Sequence, residues 1–278
     1  MKKVVIFADR NKESVSAAMD GLCGWLEERA QMEVDTDLGS PWTEGPVDLV
    51  VVQGGDGMML HAARKFSPDE VPVLGINLGK FGFLTQATLD QAREILEDAL
   101  EDRYPVEERM MIRCRLERNG ETILDTLGLN DAVVSRSCLS RLLTLELMVG
   151  GEPVNTYRAD GVIVATPVGS TAHSLAASGP ILVPTLEAFV VTPICPHTLS
   201  NRPIVIPPDR TLEVCPRDYA ETPALTVDGQ VHSPLEEGDR VRIERAEEKL
   251  HLLRTGERTF FETLRNKLGW SGQPRYVR

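Results

Sequence analysis

The sequence lacks the residue spacings that build metal sites and disulfide frameworks. Its five cysteines include no Cys-x-x-Cys pair, and its five histidines show neither the His-x-x-x-His nor the His-Glu-x-x-His pattern. A chain of 278 residues buries enough surface to fold without cross-links. We therefore expect reduced, buried thiols and no metal ion held by the protein itself.

Long apolar runs are lacking as well. The longest apolar region, residues 181–195, contains Pro184, Glu187 and Pro193, which exclude a membrane span. The apolar run at residues 4–8 is too short for a signal peptide and is typical of a buried strand. We therefore expect a cytoplasmic protein with no membrane partner.

Basic residues are fewer than acidic ones. The chain has 30 Lys and Arg against 42 Asp and Glu, a net charge of −12. Nucleic-acid binding requires a basic face, so we expect no nucleic-acid partner. A phosphorylated ligand would have to be bound by local groups, such as backbone N–H groups, helix N-termini, a few Arg side chains or a metal ion.

The sequence does contain two halves with different patterns of predicted secondary structure. In the first, apolar runs at 4–8, 49–52 and 71–76 alternate with helical patterns at 14–29, 58–65 and 89–100, the last with Thr88 as its expected cap. This alternation predicts an α/β domain with an open, mostly parallel sheet. We place that domain at residues 1–105.

After residue 105, short apolar segments separated by turn residues predict an antiparallel all-β domain at 106–255. The expected strands are 110–116, 122–127, 132–135, 143–149, 161–166, 211–215, 224–227 and 241–245. Little helix is visible here except directly after Ser170. The tail, residues 256–278, is helical again, and we expect it to pack back on the first domain.

The first motif with chemical meaning is Gly54-Gly55-Asp56-Gly57, between an expected strand and an expected helix. Glycines at the carboxyl end of a strand let the backbone approach a ligand, and the N–H groups of Gly54, Gly55 and the helix start suit phosphate oxygens. A carboxylate repels phosphate, so Asp56 is better suited to accept a proton or to bind a bridging metal. The structural alternative is a tight turn with Asp56 as a helix cap.

Two further motifs are weaker. Residues 77–85, Asn-Leu-Gly-Lys-Phe-Gly-Phe-Leu-Thr, follow the third expected strand and form either a turn or a ligand loop. They do not match the Gly-x-Gly-x-x-Gly pattern of dinucleotide-binding dehydrogenases. The pair Asn130-Asp131 precedes an apolar strand and is, by itself, common turn material.

The most unusual motif is residues 160–174, which run from Asp160-Gly161 through an apolar strand into Thr-Pro-Val-Gly-Ser-Thr-Ala-His-Ser. Small residues there leave room for a ligand ring or ribose, while hydroxyl and N–H groups supply donors. Lesser candidates are His61, Arg141, Arg158 and Gln230. His61 lies about one turn after Asp56 and is expected near the same ligand, and Gln230 follows a predicted Asp228-Gly229 turn.

Taken in order, these segments resemble the NAD kinase family over residues 4–245. The discriminating parts are Thr-Pro-Val-Gly-Ser-Thr-Ala at 166–172 and Thr-Pro-Ile-Cys-Pro-His-Thr-Leu-Ser-Asn-Arg-Pro at 192–203. Gly-Gly-Asp-Gly alone is shared with diacylglycerol and sphingosine kinases and phosphofructokinases. The resemblance implies an α/β N-terminal domain with a Rossmann-like open sheet and an all-β C-terminal domain.

The resemblance also implies roles for particular residues. Asp56 is similar to the family's proton acceptor, with Gly57 beside it, and Asn130-Asp131 to its dinucleotide-contacting pair. The remaining residues that match the family's substrate-binding positions are Arg141, Arg158, Asp160, Thr171, Ala172, His173, Ser174, Leu175, Ala176 and Gln230. Met58 and His173 depart from it, because a polar residue and a Tyr are usual at these two places.

Family members phosphorylate the 2′-hydroxyl of NAD with ATP and a divalent cation, commonly Mg²⁺, which is held mainly through the nucleotide. They form homodimers or homotetramers in which a neighbouring subunit completes the site. Two alternatives stay open at this point. One is a lipid kinase of the diacylglycerol or sphingosine type. The other is a non-catalytic NAD(P)-binding regulator, which the departures from the family at Met58 and His173 would favour.

Overall fold

A computed structural model describes residues 1–9, 21–77, 82–85, 87–136, 142–217, 222–256 and 258–270. The chain forms two compact units. Unit 1 comprises Met1–Glu108 and Leu250–Arg278, and unit 2 comprises Arg109–Lys249. The domain boundaries expected at residues 105 and 255 stay a prediction.

Unit 1 is built on a parallel sheet. Its strands are β1 (Lys3–Ala8), β2 (Gln31–Asp35), β3 (Leu49–Gln53), β4 (Pro72–Asn77) and the short β5 (Ala87–Thr88). They pair in parallel in the order β2-β1-β3-β4-β5. All five residues of β3 are buried, as expected for the centre of a parallel sheet covered on both faces.

The helices of this unit include α1, seen at residues 21–27, α2 (Asp56–Phe66) and α3 (Ala92–Leu100). One apolar cluster joins one face of the sheet, through Val51 and Ile76, to Leu26 of α1 and Leu96 of α3. The cap expected for α3 is wrong. Gln91 occupies the N-cap position, and Thr88 belongs to β5, where its N–H and hydroxyl both donate to Gln91 Oε1.

Unit 2 contains two antiparallel sheets. The first has the strands β6 (Val106–Arg118), β7 (Glu121–Gly128), β9 (Leu143–Val149), β10 (Glu152–Ala159), β14 (Leu212–Arg217) and β17 (Arg240–Leu253). The second has β8 (Asp131–Arg136), β11 (Gly161–Ala165), β12 (Phe189–Ile194), β13 (Ile204–Ile206), β15 (Pro223–Val227) and β16 (Val231–Pro234). β6 begins, and β17 ends, within unit 1.

The order in the second sheet is β13-β12-β11-β8-β15-β16. Apolar side chains of both sheets, such as Leu145 and Val164, share one buried core, so the two sheets pack face to face. The opposite face of the second sheet buries Val133 and Ile163 against Ala177 and Leu182. The segment that follows β11 therefore covers this face.

Two short helices remain. Helix α4 (His173–Ala176) follows a 3-10 turn at Gly169–Thr171, and α5 (Phe260–Leu268) belongs to unit 1. Thr259 and Glu262 form a capping box at the start of α5, and Phe260 packs against Phe83 at 6.2 Å between ring centroids. Of the helices in the described ranges, none is long and apolar enough to cross a bilayer.

The predicted fold class, an α/β unit followed by a β unit, is confirmed. The sequence missed β2, β5, β10, β12, β13 and β16. β12 contains Pro193, which donates no backbone hydrogen bond and made this apolar stretch resemble a loop.

Candidate active site

The Gly-Gly-Asp-Gly loop connects β3 to α2 in unit 1. Gly54 has φ of +154°, and a Cβ there would lie 2.6 Å from Met58 Cγ, so only glycine fits. Its N–H donates to the carbonyl of Ile76 at 3.0 Å, which ties the loop to β4. Gly55, the N-cap of α2, and Gly57 are both exposed. The amino end of α2 is thus open to an anion such as phosphate.

The carboxylate of Asp56 does not cap its own helix. Oδ2 accepts the N–H of Phe83 at 2.8 Å, and Oδ1 accepts those of Leu84 at 3.1 Å and Thr85 at 3.3 Å. A Cβ on Gly82 would lie 1.8 Å from Oδ1. The cap alternative is therefore wrong, and the side chain is instead bound by the backbone of residues 83–85.

Asn77 and Thr85 mark the ends of the second motif, and residues 78–81 and 86 lie outside the described ranges. Asn77 Nδ2 donates to Thr85 Oγ1 at 3.1 Å, and the N–H of Gly82 donates to the same oxygen at 3.2 Å. The described part of this motif therefore contacts Asp56 and itself.

His61 lies in α2 and is half-buried. It follows Asp56 by five positions, which corresponds to roughly 140° around a helix. The two side chains therefore do not share one helix face. Asp56 faces the loop at 82–85, and α2 by itself does not direct His61 to the same point.

In unit 2, three sequence motifs meet at one end of the second sheet. β8 begins at Asp131, opposite Ala165 at the end of β11, and Ala132 pairs with Val227 at the end of β15. Because these neighbouring strands are antiparallel, the start of one lies beside the ends of the other two. Asn130, Thr166 and Asp228 are therefore neighbours.

We call these three neighbours, Asn130, Thr166 and Asp228, the strand-end cluster. Hydrogen bonds hold the cluster together. The carboxylate of Asp228 accepts the N–H groups of Leu129, Asn130 and Asp131 at 2.8, 2.7 and 3.1 Å. The N–H of Thr166 donates to the carbonyl of Asn130 at 2.8 Å, and its hydroxyl donates to that of Leu129 at 2.6 Å. The backbone around Asn130 is thus fixed from two sides.

Asp131 is buried beside the Asp228 carboxylate. Burial, and then the negative charge of Asp228, raises the pKa of Asp131 to about 7. A carboxyl group in this state is partly protonated near neutral pH, so it can donate as well as accept a hydrogen bond.

The segment after β11 combines exposed and buried residues. Ala172, His173 and Ala176 are exposed, and Thr171 and Leu175 are half-buried. Ser174 is buried, and its hydroxyl lies 2.9 Å from that of Thr192. The helix expected after Ser170 is therefore present as a single turn, and Ser174 faces the sheet rather than solvent.

Gln230 lies at the same end of the sheet as the strand-end cluster. Asp228 and Gly229 have φ of +54° and +66°, and the N–H of Gln230 donates to the carbonyl of Val227. The predicted Asp-Gly turn is confirmed, as a tight hairpin between β15 and β16.

Arg158 and Asp160 lie at the opposite end of β11 from Asn130. Thr166 follows Asp160 by six positions, which corresponds to roughly 20 Å of strand. Asp160 forms an ion pair with Arg136 at 3.0 Å, and Arg158 is exposed on β10. Within one chain, unit 2 therefore does not bring these two residues to the strand-end cluster. Arg141 lies outside the described residues.

Sequence reasoning missed several groups that hold the candidate residues. They are the backbone of residues 83–85, the hydroxyls of Thr85 and Thr166, the carboxylate of Asp228 and the guanidinium of Arg136. The sequence pattern indicates only a turn at Asp228. Its place directly after an apolar strand, like that of Asn130 directly before one, was the available signal.

The cysteines differ in exposure. Burial raises the pKa of Cys114 to about 12, while Cys195 is exposed. The expectation of buried thiols is thus wrong for Cys195. Among the residues that the structure describes, no group of three or more His, Cys, Asp or Glu side chains is arranged to hold a metal ion.

Comparison with known proteins gives matches over nearly the whole chain. The ATP-NAD kinase N-terminal domain model matches residues 4–104, and the C-terminal domain model matches residues 129–255. The NAD kinases of Geobacter sulfurreducens and Geotalea daltonii are 42% and 41% identical, each alignment covering 97% of this chain and 99% of the relative.

Solved structures agree. The yeast NADH kinase complexed with NADH has a TM-score of 0.89 at 26% identity, covering 100% of this chain and 90% of its own. An NAD kinase from Archaeoglobus fulgidus in complex with ATP has a TM-score of 0.77 at 28% identity, covering 98% and 100%.

These matches make the chain a kinase, a phosphotransferase that acts on a nucleotide. It belongs to the NAD kinase family. None of the matches supports the lipid-kinase or regulator alternative.

Proposed function

We propose that this enzyme transfers the γ-phosphoryl group of ATP to the 2′-hydroxyl of the adenosine ribose of NAD, with Asp56 as the proton acceptor. The observation that carries the role of Asp56 is its environment. Backbone N–H donors fix its carboxylate beside the amino end of α2. The open amino end of a helix suits phosphate oxygens.

In the proposed reaction, the 2′-oxygen attacks the γ-phosphorus, the bond from phosphorus to the bridging oxygen of ADP breaks, and the hydroxyl proton passes to Asp56. Positioning and neutralisation of charge supply most of the acceleration in such transfers. The N–H group of Gly55 and the amino end of α2 are proposed to bind phosphate oxygens, while Gly54 shapes the turn.

We assign NAD binding to the strand-end cluster of unit 2 and to the segment that follows β11. Asn130 and Asp131 would bind the ribose hydroxyls, and the exposed Ala172, His173 and Ala176, with Thr171 and Leu175, would line the adenosine. Gln230 is at the same sheet end and would add an amide contact. Ser174 would not contact the ligand itself but would hold α4 in place through its hydroxyl contact with Thr192.

A divalent cation, with Mg²⁺ as the expected ion, would enter bound to ATP. The only carboxylate of the Gly-Gly-Asp-Gly loop is Asp56, whose oxygens already accept backbone N–H groups. The residues present thus fit an ion whose ligands are mainly phosphate oxygens and water. Such an ion neutralises phosphate charge during the transfer.

We further propose a cytoplasmic homo-oligomer. The free thiols of Cys23, Cys114, Cys195 and Cys215 suit a reducing compartment. Arg158 and Asp160 lie far from the strand-end cluster of their own chain. This distance supports an assembly in which the two residues serve the site of a neighbouring subunit.

The test is an assay of NADP formation from NAD, ATP and Mg²⁺. Asp56→Asn is expected to lower kcat at least about 10²-fold while the KM for NAD stays within about threefold, because a general base contributes on this scale. Asp69→Asn, at an exposed acid beyond α2, is the matched control. Near-normal turnover by Asp56→Asn would remove Asp56 from this role.

A wild-type protein that forms no product would overturn the reaction itself. For that outcome to count, ATP and polyphosphate must each be tried as donor, and NADH as well as NAD as acceptor.

A further inference from the structure

The segment Gly82–Thr85 and the end of β4 surround the proposed proton acceptor without an assigned function of their own. We propose that Asn77, Gly82 and Thr85 are positioning residues, which hold one oxygen of Asp56 and leave the other to take the substrate's proton. This inference rests on the proposed role of Asp56 and specifies how that residue is oriented.

The two carboxylate oxygens of Asp56 have different surroundings. Oδ1 accepts the N–H groups of Leu84 and Thr85 at 3.1 and 3.3 Å, and the Thr85 hydroxyl lies 3.5 Å from it. Among the described residues, one hydrogen bond reaches Oδ2, and its donor is the N–H of Phe83 at 2.8 Å.

A carboxylate has about four lone-pair sites, two on each oxygen. The donors therefore occupy Oδ1 and leave one acceptor site on Oδ2. The geometry assigns Oδ2 as the oxygen that faces the attacking hydroxyl. Oδ1 instead anchors the group, since backbone N–H groups do not move independently of the chain.

Thr85 connects this anchor to the sheet. Its hydroxyl oxygen accepts from Asn77 Nδ2 at 3.1 Å and from the N–H of Gly82 at 3.2 Å, and both Asn77 and Thr85 are buried. Asn77 is the last residue of β4. The hydroxyl thus fixes the loop at both ends relative to a rigid strand, and the loop in turn fixes Asp56.

Gly82 is required by contact rather than by its backbone. Its φ is not in the positive range that favours glycine, but the three nearest atoms to a Cβ placed there all belong to the Asp56 carboxyl group, at 1.8, 2.4 and 2.6 Å. An alanine would strain nothing in its own backbone and would push the carboxylate away. Glycine at 82 therefore serves Asp56 specifically.

A positioning role changes the rate rather than the affinity. A displacement on the order of 1 Å at a reacting group can cost about 10²-fold in rate. Residues that bound NAD or ATP directly would instead raise KM when altered. The ratio of the effects on kcat and KM thus distinguishes a loop that orients Asp56 from a loop that binds substrate.

The first experiment compares Thr85→Val with Thr85→Ser in steady-state kinetics with NAD and ATP. Valine keeps the shape but removes the hydroxyl, and we expect kcat to fall at least about tenfold with both KM values within about threefold. Serine keeps the hydroxyl, so its kcat should return to within about threefold of wild type. A loss that serine does not rescue, or a rise in KM with normal kcat, would overturn the proposal.

The second experiment uses Gly82→Ala, with Gly24→Ala as control. An added Cβ at Gly24, on the exposed side of α1, meets nothing within 4 Å, so this variant should match wild type. Gly82→Ala should lower kcat about 10²-fold. In an Asp56→Ala background, which has no carboxylate to displace, it should cause no further loss of the residual rate.

The outcomes separate this proposal from the proposed function. A wild-type protein that makes no NADP would remove the reaction on which the inference rests. An active wild type with near-normal kcat in both Thr85→Val and Gly82→Ala would leave the reaction intact and overturn the positioning role. A further loss from Gly82→Ala in the Asp56→Ala background would also overturn it, because the glycine would then act elsewhere.

Discussion

Two aspartates in this chain illustrate how surroundings decide what a carboxylate does. Asp56 and Asp228 each accept three backbone N–H groups, from residues 83–85 and 129–131 respectively. Hydrogen bonds from N–H groups stabilise a negative charge. Asp228 uses this charge to hold the backbone of its neighbours, and that same charge acts on the adjacent Asp131.

Asp131 makes stability depend on pH. The unfolded chain loses this proton near pH 4, whereas the native state keeps it to about pH 7. Between these values the native state binds more protons, so the free energy of unfolding falls as pH rises, and the loss is complete above pH 7. Its upper size is about 4 kcal/mol, at about 1.4 kcal/mol for each pKa unit.

We therefore expect Asp131→Asn to unfold at a higher temperature than wild type at pH 8, and to lose most of this advantage at pH 5. Thermal unfolding at both pH values measures it. Asp209→Asn, at an exposed position, is the control and should differ from wild type equally at both. An advantage for Asp131→Asn that is larger at pH 5 would contradict the assigned pKa direction.

At the residue scale, the sequence predicted the reactive groups better than their supports. Asp56 stands out because a carboxylate within a glycine loop needs an explanation. The backbone donors at residues 83–85 carry no side-chain signature, and they come from a loop 27 to 29 positions away along the chain. Only the folded chain brings them together.

At the scale of elements, strand periodicity and turn chemistry predicted most of the fold. Asn119-Gly120 forms the expected hairpin between β6 and β7, with φ of +51° and +83°. The missed strands lie at sheet edges or carry proline. β13, for example, has three residues, two of them exposed, and so shows no apolar alternation. The pairing of strand ends depends on topology, which local patterns do not encode.

The contact between Gly169 and the start of β8 is the element-scale feature most open to a test. A Cβ on Gly169 would lie 2.0 Å from the carbonyl oxygen of Asn130. Backbone cannot yield as a flexible side chain does, so Gly169→Ala must separate the 3-10 turn from the strand end. We expect a KM for NAD at least about tenfold higher and a stability loss of about 1–3 kcal/mol.

Steady-state titration with NAD and thermal unfolding check this prediction, with Gly24→Ala again as control. The variant should keep its KM for ATP within about threefold, because we assign phosphate binding to the loop of unit 1. An unchanged KM for NAD would mean that the turn and the strand end do not act together on the dinucleotide.

At the scale of the whole molecule, the two ends of the second sheet pose a geometric question. Asn130 lies at one end of the paired strands β8 and β11, and Asp160 lies at the other. A closed two-fold assembly places the same surfaces of both subunits in reciprocal contact, so each subunit's Asp160 would serve its partner's Asn130. The proposed arrangement would account for a chain that carries both residues at opposite ends of one sheet.

Mixing two inactive variants tests this arrangement. If Asn130→Ala and Asp160→Asn are each inactive, mixed dimers contain one site with both residues intact and one with neither. Random exchange of subunits should then restore about one quarter of the wild-type specific activity, since half of the dimers are mixed and half of their sites are intact. If instead each chain supplied both residues to its own site, every site would contain one defect and mixing would restore nothing. A mixture prepared without subunit exchange is the control, and activity that stays at its level after exchange would contradict a shared site.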